Sequence, residues 1–432
     1  MSKIIGIRRE DKNEWERRVP LVPKHLKELK EKHGIDTIVQ TSPIRVFTDK
    51  DYEDKGIAVQ EDLSSCPVIF AVKEIPINFL EENKTYVFFS HVIKGQKYNM
   101  PMLKKMMELK CNLIDYERIV DGKNRRLVFF GHYAGLAGMI DALWAFGKRM
   151  NWKEIDTPFN QVKRAIHYDG LDEVKQHLKL IGEKIAKDGL PEYLTPLVVG
   201  FAGYGNVSKG AQEILDQFPV KEVSPNQIEA IYSNPSNKVI YKVVFKEEDM
   251  VEPVSSEKNF DLQDYYDNPH LYRSIFDRYV HRLTILMNCI YWDERYPRLV
   301  TKKLIGVDHT RVQQLQVVGD ISIDINGAIE FTEKATTPGD PVFVYNPVRD
   351  DIVDGYEGEG IAVVAVDILP CELPRESSQE FSDSLMPFVP SIAKADYTKS
   401  FDLLDLPPEI KKAVILHHGK LTSDYEYIHN FL

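Results

Sequence analysis

Residues 197–211 combine an apolar run, two closely spaced glycines and a helical pattern, in an order that binds phosphate. Gly203 allows a sharp turn after the predicted strand, and Gly205 lets the backbone approach a pyrophosphate with no Cβ in the way. The N–H groups that open the following helix then meet the anion at the positive end of the helix dipole. Ser208 stands where the usual pattern has a third glycine, so a plain turn between two apolar runs is the alternative.

Four short segments of the first 135 residues place charged or titratable side chains beside apolar runs. These side chains are Arg18, Lys73, Glu74, His91, Lys94, Glu117 and Arg126. Because α/β folds build their clefts at strand ends, the joint occurrence of these side chains upstream of a dinucleotide loop favours an active site. Taken singly, each also suits a structural role, such as a helix salt bridge for Arg18, a solvated strand end for Lys73 or a satisfied histidine for His91.

Apolar runs alternate with helical stretches, which predicts parallel α/β sheets. In the first part of the chain, strands are expected at 4–7, 37–40, 68–72, 87–89 and 113–114, with a helix at 22–33. After the glycine turn, further strands are expected at 239–245, 283–292 and 315–318. The predicted fold class is α/β, with two Rossmann-like domains, parallel sheets and an active-site cleft between the domains.

The chain of 432 residues exceeds what one hydrophobic core usually supports, which predicts two domains. We expect residues 1–140 and 345–432 to form a discontinuous substrate domain, which regains a buried strand at 361–368. Residues 141–189 are predicted to be linking helices. Residues 190–344 then form the dinucleotide-binding Rossmann domain.

Charge and cysteine usage narrow the functional class. The net charge of −11 argues against nucleic acid as the main partner, because phosphate binding needs a basic surface. Four widely separated cysteines show no metal-ligand spacing and indicate buried thiols in a reducing compartment. The chain has no apolar run of membrane-spanning length and its N-terminus resembles no targeting signal, so the expected protein is cytoplasmic, with no metal and no membrane partner.

Several motifs together resemble one family. They are Glu16-Arg17-Arg18-Val19-Pro20, Val72-Lys73-Glu74, Ser90-His91-x-x-Lys94, Arg125-Arg126-Leu127-Val128, Gly205-Asn206-Val207-Ser208-Lys209-Gly210, Asn288-Cys289-Ile290-Tyr291-Trp292 and Gly319-Asp320-Ile321-Ser322-Ile323-Asp324. The chain resembles the lysine-forming saccharopine dehydrogenases, specifically the lysine–2-oxoglutarate reductase half of aminoadipic semialdehyde synthases. Alanine dehydrogenase and the proton-pumping transhydrogenase are more distant relatives. The resemblance covers only the reductase half, so a separate saccharopine-oxidising enzyme is an expected partner.

The resemblance implies a reversible reaction of lysine catabolism, in which lysine and 2-oxoglutarate condense and a nicotinamide cofactor reduces the imine to saccharopine. A free ammonium has a pKa near ~10.4, so a base must remove its proton before the amine attacks the ketone. The resemblance gives this acid–base work to Lys73 and His91, without deciding which of them handles each proton. The remaining substrate-binding residues that it implies are Arg18 and Arg126 for the carboxylates of 2-oxoglutarate, Glu74 and Glu117 for the α-ammonium of lysine, and Lys94 with Asp320 or Asp324 as an ion pair near the nicotinamide.

The implied cofactor contacts are Gly203, Gly205, Asn206, Val207, Ser208, Ser224, Tyr291 and Trp292. NAD sites place an acidic residue at the end of the second strand, where this chain has the early Glu222 and the uncharged Ser224. The resemblance favours NADP, and NAD stays open. Two alternative functions also stay open: an amino-acid dehydrogenase of the alanine type or an opine-forming reductase with another amine, and a nucleotide-binding regulatory module without turnover.

Overall fold

The structure is a computed structural model that describes residues 3–307 and 314–432. The strands are β1 (Lys3–Ile7), β2 (Ile35–Gln40), β3 (Ala58–Gln60), β4 (Val68–Phe70), β5 (Thr85–Phe88), β6 (Asn112–Asp115), β7 (Leu197–Ala202), β8 (Val220–Val223), β9 (Ile240–Phe245), β10 (Val251–Pro253), β11 (Tyr272–Ser274), β12 (Ile285–Asn288), β13 (Val317–Asp320), β14 (Val342–Asn346), β15 (Asp351–Asp354), β16 (Ile361–Val364), β17 (Val414–His417) and β18 (Lys420–Leu421).

The α-helices are α1 (Pro23–His33), α2 (Asp49–Glu53), α3 (Met100–Glu108), α4 (Gly131–Trp152), α5 (Leu171–Asp188), α6 (Asn206–Leu215), α7 (Ile228–Ile231), α8 (Glu247–Met250), α9 (Leu262–Asp267), α10 (Asp277–Val280), α11 (Lys302–Val307), α12 (Pro374–Leu385), α13 (Val389–Lys394) and α14 (Pro408–Ala413). Within the described residues, no helix combines the length and the apolar character needed to cross a bilayer.

The chain divides into two compact units, Met1–Phe130 with Pro374–Leu432, and Gly131–Leu373. The first unit contains an eight-stranded sheet in the order β18-β17-β6-β5-β4-β1-β2-β3. Its strands β1 to β6 are parallel, and β17 and β18 add an antiparallel edge. Strands β4, β5 and β6 are buried along their whole length, as is usual for the inner strands of a parallel sheet.

The second unit contains another eight-stranded sheet, in the order β15-β14-β16-β13-β12-β7-β9-β8. The run from β16 to β8 is parallel, whereas β14 pairs antiparallel with both β15 and β16. Helix α4 is buried along most of its length and packs in this unit. Residues 342–364 therefore extend the second sheet, whereas the sequence assigned everything after residue 344 to the first domain.

Candidate functional site

In the first unit, four neighbouring parallel strands bring the predicted acid–base residues to one edge of the sheet. The strand order β6-β5-β4-β1 places the carboxyl ends of these strands side by side. Lys73 and Glu74 follow β4, and His91 follows β5. Glu117 follows β6 and Arg18 lies beyond the end of β1. Side chains after the carboxyl ends of parallel strands line the usual crevice of an open α/β sheet.

The backbone of Lys73 is held by a buried carboxylate, Glu10, which no sequence pattern singled out. The side chain of Glu10 accepts hydrogen bonds from the backbone N–H groups of Val72 at 2.7 Å and Lys73 at 2.9 Å. Burial raises the pKa of Glu10 to about 7, and the nearby charge of Glu16 adds to the effect. Burial, followed by the charge of Arg18, lowers the pKa of Lys73. A lowered lysine pKa is the direction that acid–base catalysis at neutral pH requires.

His91 forms a hydrogen bond with Glu74 at the same edge. The Nδ1 atom of His91 lies 2.7 Å from Glu74 Oε1, and Lys12 Nζ donates to Glu74 Oε2 at 2.8 Å. Burial opposes ionisation of Glu74, but the hydrogen bonds from His91 and Lys12 outweigh it and hold the Glu74 pKa well below its usual value. The His91 backbone has φ of +50°, a left-handed conformation that a residue other than glycine adopts only when its surroundings impose it.

The arginine predicted to bind a carboxylate already lies against one from its own chain. Arg18 donates from Nε and Nη2 to Glu16 at 2.7 and 2.5 Å, and both side chains are buried. Its guanidinium also stacks over the Phe130 ring at 4.2 Å. Burial alone would raise the pKa of Glu16, but the charge and hydrogen bonds of Arg18 lower it. Glu16 therefore fixes the plane of the Arg18 fork.

Glu117 and Arg126, which the sequence assigned to opposite substrates, form an ion pair with each other. Arg126 Nη2 lies 2.5 Å from Glu117 Oε1, with the Arg126 side chain half exposed and the Glu117 side chain largely covered. The backbone N–H of Glu117 donates to Asp115, a buried carboxyl whose pKa burial and the Glu117 charge raise to about 6. Lys94 lies on the exposed turn after His91.

In the second unit, the glycine turn has the conformation that the sequence predicted. Strand β7 ends at Ala202, Gly203 has φ of +91°, and α6 begins at Asn206. A Cβ built on Gly205 would meet no atom within 4 Å, so the turn leaves open space where a pyrophosphate would lie. Among the residues that the structure describes, no side chain caps the N-terminus of α6, and its first N–H groups are therefore available to an anion. These residues fit a dinucleotide.

Ser208 stands at the position of the usual third glycine, and Gly210, two residues later, packs closely against α4. Ser208 is buried and its hydroxyl accepts a hydrogen bond from Gln212, while Val207 lies beside it in the first turn of α6. A Cβ on Gly210 would lie 2.0 Å from the His132 backbone oxygen, and a Cβ on Gly135 would lie 1.8 Å from the Val207 oxygen. The backbones of α4 and α6 therefore touch through two glycines, a signal available in the sequence as Gly135 and Gly210.

The other predicted cofactor and ion-pair residues of the second unit have partners of their own. Asp320 is buried and accepts from Asn288 at 2.8 Å and Thr332 at 2.5 Å, and burial raises its pKa. Its pairing with Lys94, like that of Asp324, stays a prediction. The remaining three residues are Ser224, which caps the turn at 225–227, the exposed Tyr291, and Trp292, whose Nε1 donates to the Pro297 oxygen.

Comparison with known proteins shows the family to which the chain belongs. The model of the alanine dehydrogenase/PNT N-terminal domain matches residues 6–137, and that of the C-terminal domain matches residues 278–424. An alpha-aminoadipic semialdehyde synthase of Arabidopsis thaliana is 39% identical over 98% of this chain and 41% of its own length. A saccharopine dehydrogenase (NAD(+), L-lysine-forming) of Yarrowia lipolytica is 26% identical over 84% of this chain and 85% of its own.

Among solved structures, an L-alanine dehydrogenase aligns with a TM-score of 0.63 at 16% identity, covering 99% of this chain and 98% of its own. This likeness shows the fold and confirms the predicted pair of Rossmann-like α/β domains. The chain spans less than half the length of the semialdehyde synthase that it matches.

Proposed function

Because the chain belongs to the alanine dehydrogenase/PNT family, we propose that it is an oxidoreductase of lysine metabolism, which condenses L-lysine with 2-oxoglutarate and reduces the product to saccharopine with NADPH or NADH. The observation that carries this proposal is the pairing of His91 with an ionised Glu74, beside Lys73, at one edge of the first sheet. This arrangement suits two proton transfers at neutral pH. The names of the curated relatives support the choice of substrates.

The Glu74 carboxylate defines which nitrogen of His91 can act as a base. An ionised carboxylate only accepts hydrogen bonds, so the proton between the two side chains belongs to His91 Nδ1. In the neutral imidazole, Nε2 then carries the lone pair and takes a proton from the ε-ammonium of lysine. The same imidazolium returns a proton to the carbinolamine oxygen, so that water leaves and the imine forms.

Lys73 provides a second proton carrier near Arg18 and Glu16. Burial and the charge of Arg18 lower its pKa, which is the direction that proton transfer at neutral pH requires, and Glu10 fixes the backbone from which its side chain extends. We assign it the proton transfers that His91 does not perform. The choice between Lys73 and His91 at each step is open to a pH profile of single variants.

The glycine turn and the start of α6 would hold the dinucleotide pyrophosphate. When bound, a reduced nicotinamide supplies the electron pair that converts the imine to the secondary amine of saccharopine. The open space over Gly205 is what the chain itself contributes to this binding, because a side chain at that position would occupy the anion site.

Two of the ion pairs in the first unit, Arg126–Glu117 and Arg18–Glu16, suggest how the carboxylates of the keto acid and the α-ammonium of lysine are bound. Arg126 and Glu117 are complementary to a carboxylate and an ammonium, respectively, and the half-exposed position of Arg126 lets the pair separate. We assign Arg126 to a carboxylate of 2-oxoglutarate and Glu117 to the α-ammonium of lysine. Arg18, oriented by Glu16, is assigned to the other carboxylate of the keto acid.

The proposal is tested by following NADPH or NADH oxidation by the purified chain with lysine and 2-oxoglutarate, omitting each in turn. Turnover should require both. A His91→Asn variant should lose roughly 10²–10⁴-fold in turnover while keeping its dinucleotide affinity. His281→Asn, which removes another histidine beside a carboxylate, Glu229, is the matched control and should match the parent. Turnover with ammonia and pyruvate instead of lysine and 2-oxoglutarate would overturn the assigned substrates.

A further inference from the structure

The turn that carries His91 is held at two points by side chains of the first unit. The Asn99 amide nitrogen Nδ2 donates to the Ser90 carbonyl oxygen at 3.0 Å, and the Tyr427 hydroxyl donates to the Ile93 carbonyl oxygen at 2.8 Å. Between these two contacts, His91 adopts its left-handed backbone conformation, with φ of +50°. Because such a conformation persists only where neighbouring groups impose it, contacts on this turn bear on the orientation of the His91 ring.

Asn99 reaches Glu74 as well as the turn. Its Nδ2 lies 3.4 Å from Glu74 Oε1, the oxygen that faces His91 Nδ1, and 3.5 Å from the His91 carbonyl oxygen. Since these neighbours are an ionised carboxylate and backbone carbonyls, which only accept hydrogen bonds, the NH2 side of the amide must face them. One amide hydrogen serves Ser90, and the other is shared by Glu74 and His91.

The position of Asn99 in the sequence does not explain this arrangement. Asn99 is the N-cap residue of α3, where an asparagine normally accepts a hydrogen bond from the first N–H groups of the helix. Its backbone is near-helical instead, with φ of −96° and ψ of −11°, and its side chain forms no cap with the described residues. The Asn99 carbonyl oxygen accepts from the Leu103 N–H at 3.1 Å, and both residues are buried. A packed helix therefore holds the amide towards Glu74 and His91.

We propose that Asn99 is a positioning residue of the reaction, which holds the Glu74 carboxylate and the His91 ring in the arrangement that leaves Nε2 of His91 as the base. The inference rests on the acid–base role of His91 in the proposed function. A donor to Glu74 Oε1 favours the ionised carboxylate, and an ionised carboxylate keeps the imidazole proton on Nδ1. Without the amide, Glu74 can turn away from the ring, which then loses the contact that selects its tautomer.

Two Asn99 variants and one matched control separate positioning from simple stabilisation of the turn. Asn99→Asp and Asn99→Ser keep residue types that are favoured at an N-cap, so α3 should form, but neither can place an NH2 group on Glu74. Tyr427→Phe removes another hydrogen bond to the same turn and leaves the contacts of Glu74 in place. The charged groups that also interact with the pair stay the same in all three variants, and they are Lys12, Lys73 and Asp115.

Steady-state kinetics over a range of pH give the first readout. Both Asn99 variants should lose about tenfold or more in kcat, the size expected for one hydrogen bond to a charged group, while the lysine KM stays within about threefold of the parent. In Asn99→Asp, the added carboxylate favours the imidazolium form of His91, so the acid limb of the kcat profile should also move to higher pH. Tyr427→Phe should keep the pH profile of the parent and a kcat within about threefold of it.

Nitrogen NMR of the full chain without substrates gives a second readout that needs no turnover. The histidines carry ¹⁵N, the pH is one at which the ring is neutral, and the His91 signals are those absent from His91→Asn. The parent and Tyr427→Phe should show the Nδ1–H tautomer of His91, whereas Asn99→Ser should shift towards the Nε2–H tautomer. Thermal unfolding verifies that each variant folds like the parent.

A tautomer like that of the parent in Asn99→Ser, or equal losses of kcat in Asn99→Ser and Tyr427→Phe, would overturn the role of Asn99 while the acid–base role of His91 stands. Absence of turnover in the parent would instead overturn the proposed function, and this inference with it.

Discussion

Three reactive residues of the proposed site each receive a hydrogen-bonding contact from a buried or half-buried carboxylate, either at the backbone or at the side chain. Glu10 holds the Lys73 backbone, Glu74 holds the His91 ring, and Glu16 holds the Arg18 guanidinium. The sequence indicated the reactive residues because their types stand out beside apolar strands. It did not indicate Glu10 and Glu16 as their partners, because an acidic residue in a charged loop has the same local pattern whether it is buried or solvated.

Because Glu74 contacts His91, we expect a substitution of Glu74 to lower the turnover rate rather than the affinity for lysine. In Glu74→Gln, the amide can donate to His91 Nδ1, which moves the imidazole proton to Nε2 and removes the base. We expect kcat to fall by roughly 10²–10⁴-fold with little change in the lysine KM. Lys12→Met, which removes another and more exposed partner of Glu74, should change kcat by no more than about threefold. Steady-state kinetics would contradict this role if Glu74→Gln raised the lysine KM and spared kcat.

The assignment of Arg126 to a carboxylate of 2-oxoglutarate can be tested by substitution, with the adjacent Arg125 as the control. Truncation to Ala should raise the KM for 2-oxoglutarate on the order of 10–100-fold, the effect of losing one charged hydrogen-bonding group, and leave the dinucleotide KM nearly unchanged. Arg125→Ala removes a more exposed arginine that pairs with Asp121, and its kinetic constants should stay within about threefold of the parent. If Arg126→Ala weakened lysine binding instead, the two substrates would be placed the other way round.

At the scale of elements, local pattern predicted which segments form strands and helices, and the structure confirms those around β1, β2, β4, β5, β7, β9 and α1. Sheet order was beyond such reasoning. The sheet neighbour of β7 is β9, whereas β8 comes first along the chain, and only the folded sheet shows which of the two strands packs beside β7. The role of Gly210 was missed for the same reason, because it depends on the helix that α6 packs against.

The glycine contact between α4 and α6 predicts that stability and cofactor binding can be separated. Gly210→Ala and Gly135→Ala place a methyl group against backbone oxygens at 2.0 and 1.8 Å, and each should reduce the free energy of unfolding by about 1–3 kcal/mol or more. Gly205→Ala adds its methyl group in open space with an ordinary φ of −73°, so its unfolding free energy should stay within about 0.5 kcal/mol of the parent.

Denaturant unfolding and dinucleotide titration of the three variants check both parts of this prediction. Gly205→Ala should bind the dinucleotide more weakly although its stability is unchanged, because the methyl group enters the proposed anion site. Unchanged dinucleotide affinity in Gly205→Ala would show that the loop is only a turn. If Gly210→Ala had the same free energy of unfolding as the parent, α4 and α6 could move apart without loss of stability.

At the scale of the whole molecule, the second unit ends at Leu373, later than the predicted boundary at residue 344. The antiparallel strand β14 accounts for this difference. The sequence between 345 and 360 is rich in Pro, Asp and Gly, which suggested a return to the first domain. In the structure β14 turns back through β15 to β16, and β16 joins the parallel sheet beside β13. A turn-rich segment marks a change of direction equally well within a domain or between two, so composition alone could not separate these cases.

The second unit contains a buried carboxyl pair whose titration should affect the stability of the protein. Asp141, on α4, accepts from the Ala165 N–H at 2.8 Å, and Glu372 is almost fully buried near it. Burial, followed by the charge of Asp141, raises the pKa of Glu372 well above its ordinary value, and Arg164 opposes this effect. Burial raises the pKa of Asp141 as well. Above the unfolded pKa of Glu, the Asp141–Glu372 pair of the folded protein therefore retains a proton that the unfolded chain releases.

A group whose pKa is raised by folding stabilises the protein fully only below its unfolded pKa, which is near ~4.3 for Glu. Above that pH the unfolded chain binds fewer protons than the folded protein, so the free energy of unfolding should fall, by up to about 1.4 kcal/mol per pH unit, until the pH passes the folded pKa. Glu372→Gln removes this titration and should flatten the pH dependence above the unfolded Glu pKa of about 4.3. Glu357→Gln, which removes an exposed carboxylate from the same unit, should keep the slope of the parent. Glu10, whose pKa is also raised, contributes equally to all three proteins, so the difference in slope reports the titration of the Asp141–Glu372 pair. Denaturant unfolding at a series of pH values measures it, and equal slopes for Glu372→Gln and the parent would show that Glu372 is not protonated in the folded protein.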